Sequence, residues 1–232
     1  MNSKKDIDYD GWELGFFDLS KNFRKYQFDL IKEFISGKVA EIGPGNGIFL
    51  EYYLDRCDKL DLFEPDKNLF SKLNYKFSNH EKINIINDEF NITTNIYDVI
   101  LYLDVLEHIE NYEKEILKAH NALKEGGHLV INVPAFQFLY SDFDKDVGHF
   151  KRYSKKDITD LVLKNNLKIT RLNYYDTIGF LLSFLSKMIS SNYKKNFEKK
   201  IKIWNSLIPA SRILDKIFIS SFGKSLLIVI KK

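Results

Sequence analysis

Residues 41–47 read E-I-G-P-G-N-G, with three glycines at alternate positions directly behind a short apolar run at residues 39–42. Glycine adopts backbone angles that other residues avoid, so this spacing predicts a tight turn that brings the backbone close to a ligand. Strand–turn–helix bends of this kind bind dinucleotides, nucleoside triphosphates or nucleoside ligands without phosphates. The residues around the turn indicate which of these three classes of ligand it binds.

The segments outside the turn alternate between strand-length apolar runs and helical patterns, which is typical of a parallel sheet covered by helices. Strands are predicted at residues 39–42, 60–63, 83–86, 98–103, 128–133, 167–172 and 226–230. Helices are predicted at residues 23–34, 47–54, 65–77, 112–123, 155–164, 180–189 and 204–219. We therefore expect an α/β fold with one doubly wound, mostly parallel sheet of seven strands and helices on both faces.

The phosphate-binding classes fit the turn poorly. A dinucleotide turn G-x-G-x-x-G that begins at Gly43 would need a glycine at position 48, where the chain has Ile48. Pro44 removes a backbone N–H that would help to hold a pyrophosphate, and no G-x-x-x-x-G-K-[ST] run occurs. Instead, the carboxylates of Glu41 and Glu64 flank the turn. Carboxylates repel phosphates, but they accept hydrogen bonds from a ribose diol and tolerate a sulfonium or ammonium charge.

On these residues the turn resembles motif I of the class I S-adenosylmethionine-dependent methyltransferases, with Glu64 at their ribose-binding position. Y-D-V-I-L-Y-L-D-V-L-E-H-I at residues 97–109 is similar to motif IV. L-K-E-G-G-H-L-V-I-N-V-P at residues 123–134 is similar to their entry to strand five, although Glu125 replaces the usual proline. The resemblance implies S-adenosylmethionine as cofactor and one Rossmann-like domain over residues 1–232. Its predicted parts are an N-terminal helical cap (1–37), a donor-binding core (38–133), a substrate lid loop (134–153), and C-terminal helices and last strands (154–232).

The resemblance also implies which residues bind the donor. Asp88 follows the third strand, where the family often contacts the adenine amino group, although a turn-forming role stays open. Arg24 is expected to meet the carboxylate of the donor, with a surface salt bridge as the alternative, and Tyr26 to help close the pocket. The complete predicted set for the cofactor is Glu41, Gly43, Gly45, Gly47, Glu64, Asp88, Asp104 and Arg24.

Two histidines are candidates for the general base that an alcohol acceptor usually needs. His108 follows strand four, and its spacing can place it on one face with Asp104 and Glu107. His149 lies in L-Y-S-D-F-D-K-D-V-G-H-F-K-R-Y at residues 139–153, which resembles a bacterial branch of the family often found in surface-polysaccharide pathways. We predict both histidines to be catalytic. D-x-x-E-H also resembles the metal-binding E-x-x-E-H of some ubiquinone-pathway O-methyltransferases, but L-E-H recurs in class I enzymes without metal, so no metal is predicted.

The loop at residues 134–153 leaves the sheet edge where ligands of doubly wound folds bind, and its length indicates a function. Lys151 and Arg152 indicate an anionic group such as phosphate on the acceptor, unless they are only a solvated basic run before a helix. Asp142 and His149 belong to the same lid. The predicted acceptor-binding residues are Asp144, Lys151, Arg152 and Tyr153.

The function predicted from these residues and the resemblance is O-methylation of a small phosphorylated or nucleotide-linked precursor of a cell-surface polysaccharide. The acceptor atom is a hydroxyl or a phosphoryl oxygen. One alternative is N-methylation of an amino sugar. A second, of another class, is a non-catalytic donor-binding scaffold subunit.

Composition and charge limit the location and the partners. The chain of 232 residues is 44% hydrophobic and 29% charged, as in soluble globular proteins. A single cysteine, Cys57, and an N-terminus without an apolar signal core predict a cytoplasmic protein. Residues 191–232 carry ten basic against two acidic residues. Nucleic acid is not predicted, because no N-P-P-Y-type motif follows strand four and the basic end lacks interleaved aromatics. Peripheral contact with a membrane through residues 180–202 stays open, and the oligomeric state is not predicted.

Overall fold

A computed structural model describes residues 9, 11–189, 194–218 and 220–232. Seven strands form one sheet: β1 (Gly37–Ile42), β2 (Cys57–Phe63), β3 (Ile83–Ile86), β4 (Tyr97–Leu103), β5 (Leu123–Pro134), β6 (Lys168–Tyr175) and β7 (Ser225–Lys231). Their order is β3-β2-β1-β4-β5-β7-β6, and only β7 runs antiparallel to its neighbours among the described residues. The predicted α/β fold with a mostly parallel seven-stranded sheet is confirmed.

Helices cover both faces of this sheet. They are α1 (Leu14–Phe17), α2 (Lys21–Ile31), α3 (Leu50–Tyr53), α4 (Lys67–Phe77), α5 (Tyr112–Ala122), α6 (Asp142–Asp146), α7 (Lys155–Lys164), α8 (Thr177–Met188) and α9 (Phe197–Ile217). Because successive residues of a strand point to opposite faces, Leu101 of β4 packs into one apolar core and Ile100 into the other. The strands are therefore buried on both faces, as a parallel sheet requires.

Several predicted boundaries are wrong. The helix expected at residues 47–54 is only α3, followed by a 3₁₀ turn at Leu54–Arg56, because the glycine turn occupies the residues before it. β5 begins at Leu123, five residues before the predicted start, and continues through the two glycines that were expected to precede it. α9 begins at Phe197 and contains Pro209. Proline has no N–H for the carbonyl four residues earlier, and that carbonyl, of Asn205, accepts a hydrogen bond from Asn22 at 3.1 Å.

The segment predicted as a lid loop has structure of its own, with a 3₁₀ turn at Gln137–Leu139 and the short helix α6. The division into cap, core, lid and C-terminal part stays a prediction. Residues 1–8 and 10 of the predicted cap, residues 190–193 of the predicted membrane-contact segment, and residue 219 at the predicted end of the last helix lie outside the described residues. No helix in the described part of the chain is long and apolar enough to cross a bilayer.

The position of β1 locates the site. β1 pairs with β2 on one side and with β4 on the other. The connection after β1 and the connection after β3 therefore lead to opposite sides of β1. In doubly wound folds, ligands bind outside the carboxyl ends of the strands at such a switch point. The glycine turn follows β1 directly at that edge.

Candidate active site

The three glycines of the turn all have left-handed backbone angles, with φ of 63° at Gly43, 60° at Gly45 and 71° at Gly47. A β-carbon on Gly43 would lie 2.8 Å from Cγ2 of Val105, and one on Gly47 would lie 2.7 Å from Cδ2 of Leu73. Glycine is therefore required at these two positions both by the backbone angle and by the packed neighbours. The contact with Val105 also holds the turn against the segment that follows β4.

The two carboxylates beside the turn are buried and have different partners. Glu64 accepts hydrogen bonds from the backbone N–H groups of Gly45 and Asp66, each at 3.1 Å. Glu41 accepts one from the hydroxyl of Tyr53. Burial raises the pKa of each carboxyl group from 4.5 to about 7. Each oxygen of an ionised Glu64 keeps a lone pair for a further hydrogen bond, which suits a ribose diol.

Asp104 connects three parts of the site at the end of β4. Its carboxylate accepts hydrogen bonds from Asn132 of β5 at 2.6 Å and from Arg24 and Gln27 of α2 at 3.3 and 3.4 Å. The ion pair with Arg24 ties the N-terminal helix over the carboxyl ends of the strands. Asp88, from the same predicted set, follows the edge strand β3 and accepts from the backbone N–H of Glu89 at 2.9 Å. Its contact with adenine stays a prediction.

A segment in front of α2 that the sequence patterns did not single out covers the glycine turn. The backbone N–H of Tyr9 donates to Asp66 at 3.2 Å, and the Tyr9 hydroxyl donates to the buried Glu13. Cδ1 of Leu14 lies 3.6 Å from the position that a β-carbon on Gly45 would take. These contacts pack Leu14 against the turn and tie Tyr9 to the start of α4.

The two predicted catalytic histidines lie next to each other. The ring centroids of His108 and His149 are 4.7 Å apart, with the rings nearly perpendicular. Nδ1 of His149 lies 2.9 Å from Oδ1 of Asp144, and its Nε2 lies 3.9 Å from Oε1 of Glu107. The ring of His108 is instead hydrogen-bonded to the backbone of Gly148, and burial together with His149 lowers its pKa to about 3. His108 is therefore neutral at physiological pH, and His149 is the one with a carboxylate partner.

Asp144, predicted to contact the acceptor, is fully buried beneath His149. It accepts hydrogen bonds from Nε and Nη2 of Arg152 at 2.8 and 2.9 Å, and from the backbone and hydroxyl of Ser141 at 2.9 Å. Burial alone would raise the pKa of Asp144, but the hydrogen bonds from His149 and Arg152 hold it well below its usual range. Because the charged carboxylate can only accept, we assign the proton of the neutral His149 ring to Nδ1 and the lone pair to Nε2.

Of the two predicted anion-binding residues, Arg152 belongs to this cluster and Lys151 does not. Nη1 of Arg152 is buried and has no hydrogen-bond partner among the described residues. Lys151 donates to Asp157 of α7 at 3.0 Å and lies over the ring of Tyr153. Tyr153 is fully buried and donates to the carbonyl of Leu106 at 2.9 Å. Lys151 and Tyr153 thus stabilise the segment around the site, and their contact with an acceptor stays a prediction.

Lys224, the residue before β7, is a site residue that the sequence did not reveal. Its Nζ lies 3.8 Å from the ring centroid of Trp204. Burial lowers the pKa of Lys224, and the negative charge of Asp176 opposes that shift. The positive charge of Arg152 lowers this pKa further, and the negative charge of Asp104 raises it. A lysine in a lysine-rich C-terminal region gives no sequence signal for this position. The aromatic rings of the adjoining cluster belong to Trp12, Phe16, Phe17, Phe143, Phe197 and Trp204.

Glu107, His108 and His149 could also hold a metal ion. Each offers one ligand atom, and the three atoms lie within 4.8 Å of one another. Glu107 is buried, and its Oε2 has no hydrogen-bond partner in the described part of the chain. One carboxylate and two imidazoles suit zinc or a similar divalent ion. The absence of a metal site from the sequence-based assignment therefore stays a prediction, and the sequence left open whether a divalent ion is required.

The family of the chain follows from comparison with known proteins. Residues 19–172 match the family described as "Methyltransferase domain", and the chain belongs to this family. The match spans the glycine turn and the cluster around His149. The protein is a class I S-adenosylmethionine-dependent methyltransferase, with S-adenosylmethionine as its methyl donor. The close backbone approach at Gly43 and Gly47 and the accepting carboxylate of Glu64 fit this donor. No curated protein matches the sequence.

Solved structures share the fold at low sequence identity. A putative methyltransferase from Bacillus halodurans C-125 is 14% identical, with a TM-score of 0.60 over 92% of this chain and 99% of that one. N-methyltransferase NodS from Bradyrhizobium japonicum WM9, in complex with S-adenosylhomocysteine, is 18% identical, with a TM-score of 0.55 over 72% and 84%. Haemonchus contortus phosphoethanolamine N-methyltransferase 2, in complex with phosphomonomethylethanolamine and S-adenosylhomocysteine, is 14% identical, with a TM-score of 0.64 over 95% and 57%.

Proposed function

We propose that this methyltransferase methylates an oxygen atom of a small phosphorylated or nucleotide-linked carbohydrate, a precursor of a cell-surface polysaccharide. The observation that carries the proposal is the 2.9 Å hydrogen bond between Nδ1 of His149 and the buried carboxylate of Asp144. An imidazole oriented by a carboxylate is a general base suited to an alcohol, whose own pKa lies far above 7.

The residues of the chain then have separate tasks. Bound S-adenosylmethionine supplies an electrophilic methyl group on a sulfonium centre. Nε2 of His149 accepts the proton of the acceptor hydroxyl as that oxygen reacts, and Asp144 stabilises the imidazolium that forms. Arg152 keeps Asp144 ionised through two hydrogen bonds, at 2.8 and 2.9 Å. His108 stays neutral and packs against the ring of His149. It therefore positions His149 and does not accept the proton of the acceptor hydroxyl.

Two cationic groups, the buried Arg152 and the half-buried Lys224, support an anionic acceptor. Nη1 of Arg152 is buried and has no hydrogen-bond partner in the described residues, which leaves a strong donor for an oxygen of a ligand. Lys224 lies on the same side of the sheet edge, and its pKa is lowered by burial. A phosphate would gain charge-assisted hydrogen bonds from both groups and would relieve the cost of their burial.

Two observations support the carbohydrate part of the proposal. Residues 139–153 resemble a branch of the family from surface-polysaccharide pathways, and the aromatic cluster beside Lys224 offers flat apolar faces of the kind that line small-molecule sites. Cys57 is a free, buried thiol, which supports a reducing compartment and thus the cytoplasm.

Two other acceptor atoms give different expectations. A phosphoryl oxygen is already anionic, so His149 would only bind it. An amine is the acceptor that the names of NodS and of the Haemonchus protein indicate for those enzymes. In this chain the positive charges of Arg152 and Lys224 disfavour an ammonium group nearby, which favours oxygen.

The test is a screen for S-adenosylhomocysteine formation with phosphorylated sugars, nucleotide sugars, phosphoryl metabolites and amino sugars. The product is then analysed by mass spectrometry and NMR to identify the methylated atom. Turnover on a hydroxyl that falls in His149→Gln supports the proposal. Turnover confined to amino sugars contradicts it. Loss of activity after chelation, restored by one divalent ion, would assign Glu107, His108 and His149 to a metal and remove His149 from the role of base.

A further inference from the structure

The second half of α8 exposes most of its apolar side chains, while Ser183, Ser186 and Lys187 form a polar stripe along one side of the helix. Its first turn is buried at Thr177 and Gly179, but Met188 is 69% exposed and the following Ile189 is 72% exposed. The other large exposed apolar side chains of this helix are Leu181, Leu182, Phe184 and Leu185. These exposed apolar side chains adjoin one another along the helix, and a contiguous exposed apolar patch marks an interaction surface, whereas scattered single residues do not.

Aromatic contacts extend this surface beyond α8. The ring of Phe180 lies 6.1 Å from that of Phe138, which is 53% exposed on the segment after β5. Phe180 also contacts Phe222, whose ring lies 5.1 Å from the exposed Phe218 after α9. We call α8 from Leu181 onward, together with Phe138 and Phe218, the apolar face.

The base of α8 is held firmly, so the apolar face is a built feature of the fold. Asp176 caps the helix through the N–H of Gly179 at 2.9 Å, and it accepts hydrogen bonds from Trp204 and Ser211 of α9 at 2.8 and 2.9 Å. Farther along the helix, Nζ of Lys187 donates to the carbonyl of Tyr140 at 2.9 Å. These bonds fix the direction of α8 relative to the sheet edge that carries the active site.

Basic residues cluster where α8 ends and α9 begins. Between residues 187 and 202 the only acidic residue is Glu198, against the lysines Lys187, Lys194, Lys195, Lys199, Lys200 and Lys202. An amphipathic surface with lysines beside apolar side chains is the pattern of a segment that lies in the interface of an anionic bilayer. A second copy of the chain would bring the same positive charges to the contact, and like charges would repel.

We propose that the apolar face docks on the surface of an anionic phospholipid bilayer, with the exposed side of α8 in the headgroup region. The exposed Lys195 and Lys199 contact the lipid phosphates. β6, which precedes α8, runs parallel to β5 and ends at the same sheet edge, so docking would bring the active-site edge towards the bilayer. The proposal is independent of the acceptor and of catalysis.

Flotation of the full chain with vesicles tests the docking. We expect the protein to float with vesicles of phosphatidylglycerol and phosphatidylcholine, to float weakly with phosphatidylcholine alone, and to bind less as ionic strength rises. The variant Leu185→Glu/Met188→Glu should bind at least about tenfold more weakly, since each charge near an anionic surface changes affinity by roughly fivefold. The matched control is Leu163→Glu/Tyr75→Glu. These two side chains are 71% and 93% exposed and lie outside the apolar face, so this variant should bind like the wild type.

A second pair of substitutions separates the charge from the apolar contact. Lys195→Gln/Lys199→Gln should weaken binding to anionic vesicles by roughly tenfold or more and leave the weak binding to neutral vesicles unchanged. Circular dichroism confirms that each variant is folded. The proposal is overturned if the wild type does not float with anionic vesicles, or if Leu185→Glu/Met188→Glu floats as well as its control. It is also overturned if sedimentation shows a dimer that the same double variant dissociates.

Discussion

Nδ1 of His149 lies 2.9 Å from Oδ1 of Asp144, and Asp144 in turn holds Nε and Nη2 of Arg152. The buried carboxylate is therefore shared between a histidine that can accept a proton and an arginine that keeps the carboxylate charged. The same contact decides which nitrogen of His149 carries the lone pair, and it makes His149 the better candidate for the base than its neighbour His108.

The two histidines should accordingly differ in their effect on turnover. His149→Gln should lower kcat by about 10²- to 10⁴-fold, the usual contribution of a general base, and leave the affinity for S-adenosylhomocysteine unchanged. His108→Gln, the matched variant, should have a smaller effect, because His108 is neutral and has no carboxylate partner among the described residues. Steady-state kinetics and calorimetric titration measure these quantities. Equal losses in the two variants would contradict the assignment of His149 as base.

The glycine turn should tolerate no side chain at Gly43. Gly43→Ala adds a β-carbon 2.8 Å from Val105 at a φ of 63°, so it should destabilise the fold and weaken donor binding. Gly126→Ala is the matched control, since Gly126 also has a positive φ, 81°, but no heavy atom lies within 4 Å of the added carbon. We expect about 1–2 kcal/mol from backbone strain in both variants. Overpacking should add about 1–3 kcal/mol in Gly43→Ala alone.

Urea unfolding and titration with S-adenosylhomocysteine measure this pair. Only Gly43→Ala should lower the affinity for the donor product. If Gly126→Ala lowered it as much, the effect would come from general strain and not from the turn.

Stability should fall as pH rises towards 8. Burial raises the pKa of Glu41 from 4.5 to about 7, so the folded state binds a proton there more tightly than the unfolded state does. The resulting stabilisation is complete below about pH 4.5 and is lost as pH rises through 7. For a shift of this size the change is on the order of 3 kcal/mol.

The variant Glu41→Gln isolates this contribution, because glutamine keeps an oxygen for the hydroxyl of Tyr53 but does not titrate. The difference in unfolding free energy between pH 5 and pH 8 should shrink by about 2–3 kcal/mol relative to wild type. Asp55→Asn, at an exposed carboxyl group, serves as control and should leave the difference unchanged. An unchanged pH dependence in Glu41→Gln would show that Glu41 titrates normally.

Lys224, and not Lys151, should determine the affinity for an anionic acceptor. Lys224→Met removes a charge beside Arg152 and should raise KM for the acceptor by roughly tenfold or more, as expected for a lost hydrogen bond to a charged group. Its kcat and its affinity for S-adenosylhomocysteine should change little. Lys151→Met breaks the ion pair with Asp157 and should leave KM near the wild-type value. A larger increase in KM in Lys151→Met than in Lys224→Met would contradict this role of Lys224 and support the acceptor-binding role first predicted for Lys151.

The fold and the donor turn were predictable because their signals are local. Apolar runs of strand length mark the buried strands, and the predicted β3 and α7 have the observed bounds, Ile83–Ile86 and Lys155–Lys164. The ends of helices and strands were harder to predict where a contact with another element overrides the local preference for secondary structure. α9 continues through Pro209 because Asn22, from another helix, satisfies the carbonyl that the proline leaves free.

The roles within the acceptor region were not predictable in the same way. Lys151 and Arg152 are adjacent in the sequence, yet one pairs with Asp157 at the surface and the other is buried against Asp144. Asp144 lies in a polar stretch of the sequence, but in α6 it is fully buried and paired with Arg152. Lys224 stands in a basic region without any motif and reaches the site only because β7 lies beside β5.

The sequence by itself determined the class of fold and the place of the donor turn, because glycine spacing, carboxylates at strand ends and apolar periodicity act on neighbouring residues. The donor followed from the resemblance of these motifs to a known family. The tertiary structure alone decided that His149 and His108 touch, that Asp144 orients one of them, and that Lys224 lies at the same sheet edge. These contacts depend on the order of the strands in the sheet and on which charges are buried together, and no pattern within a single segment encodes either.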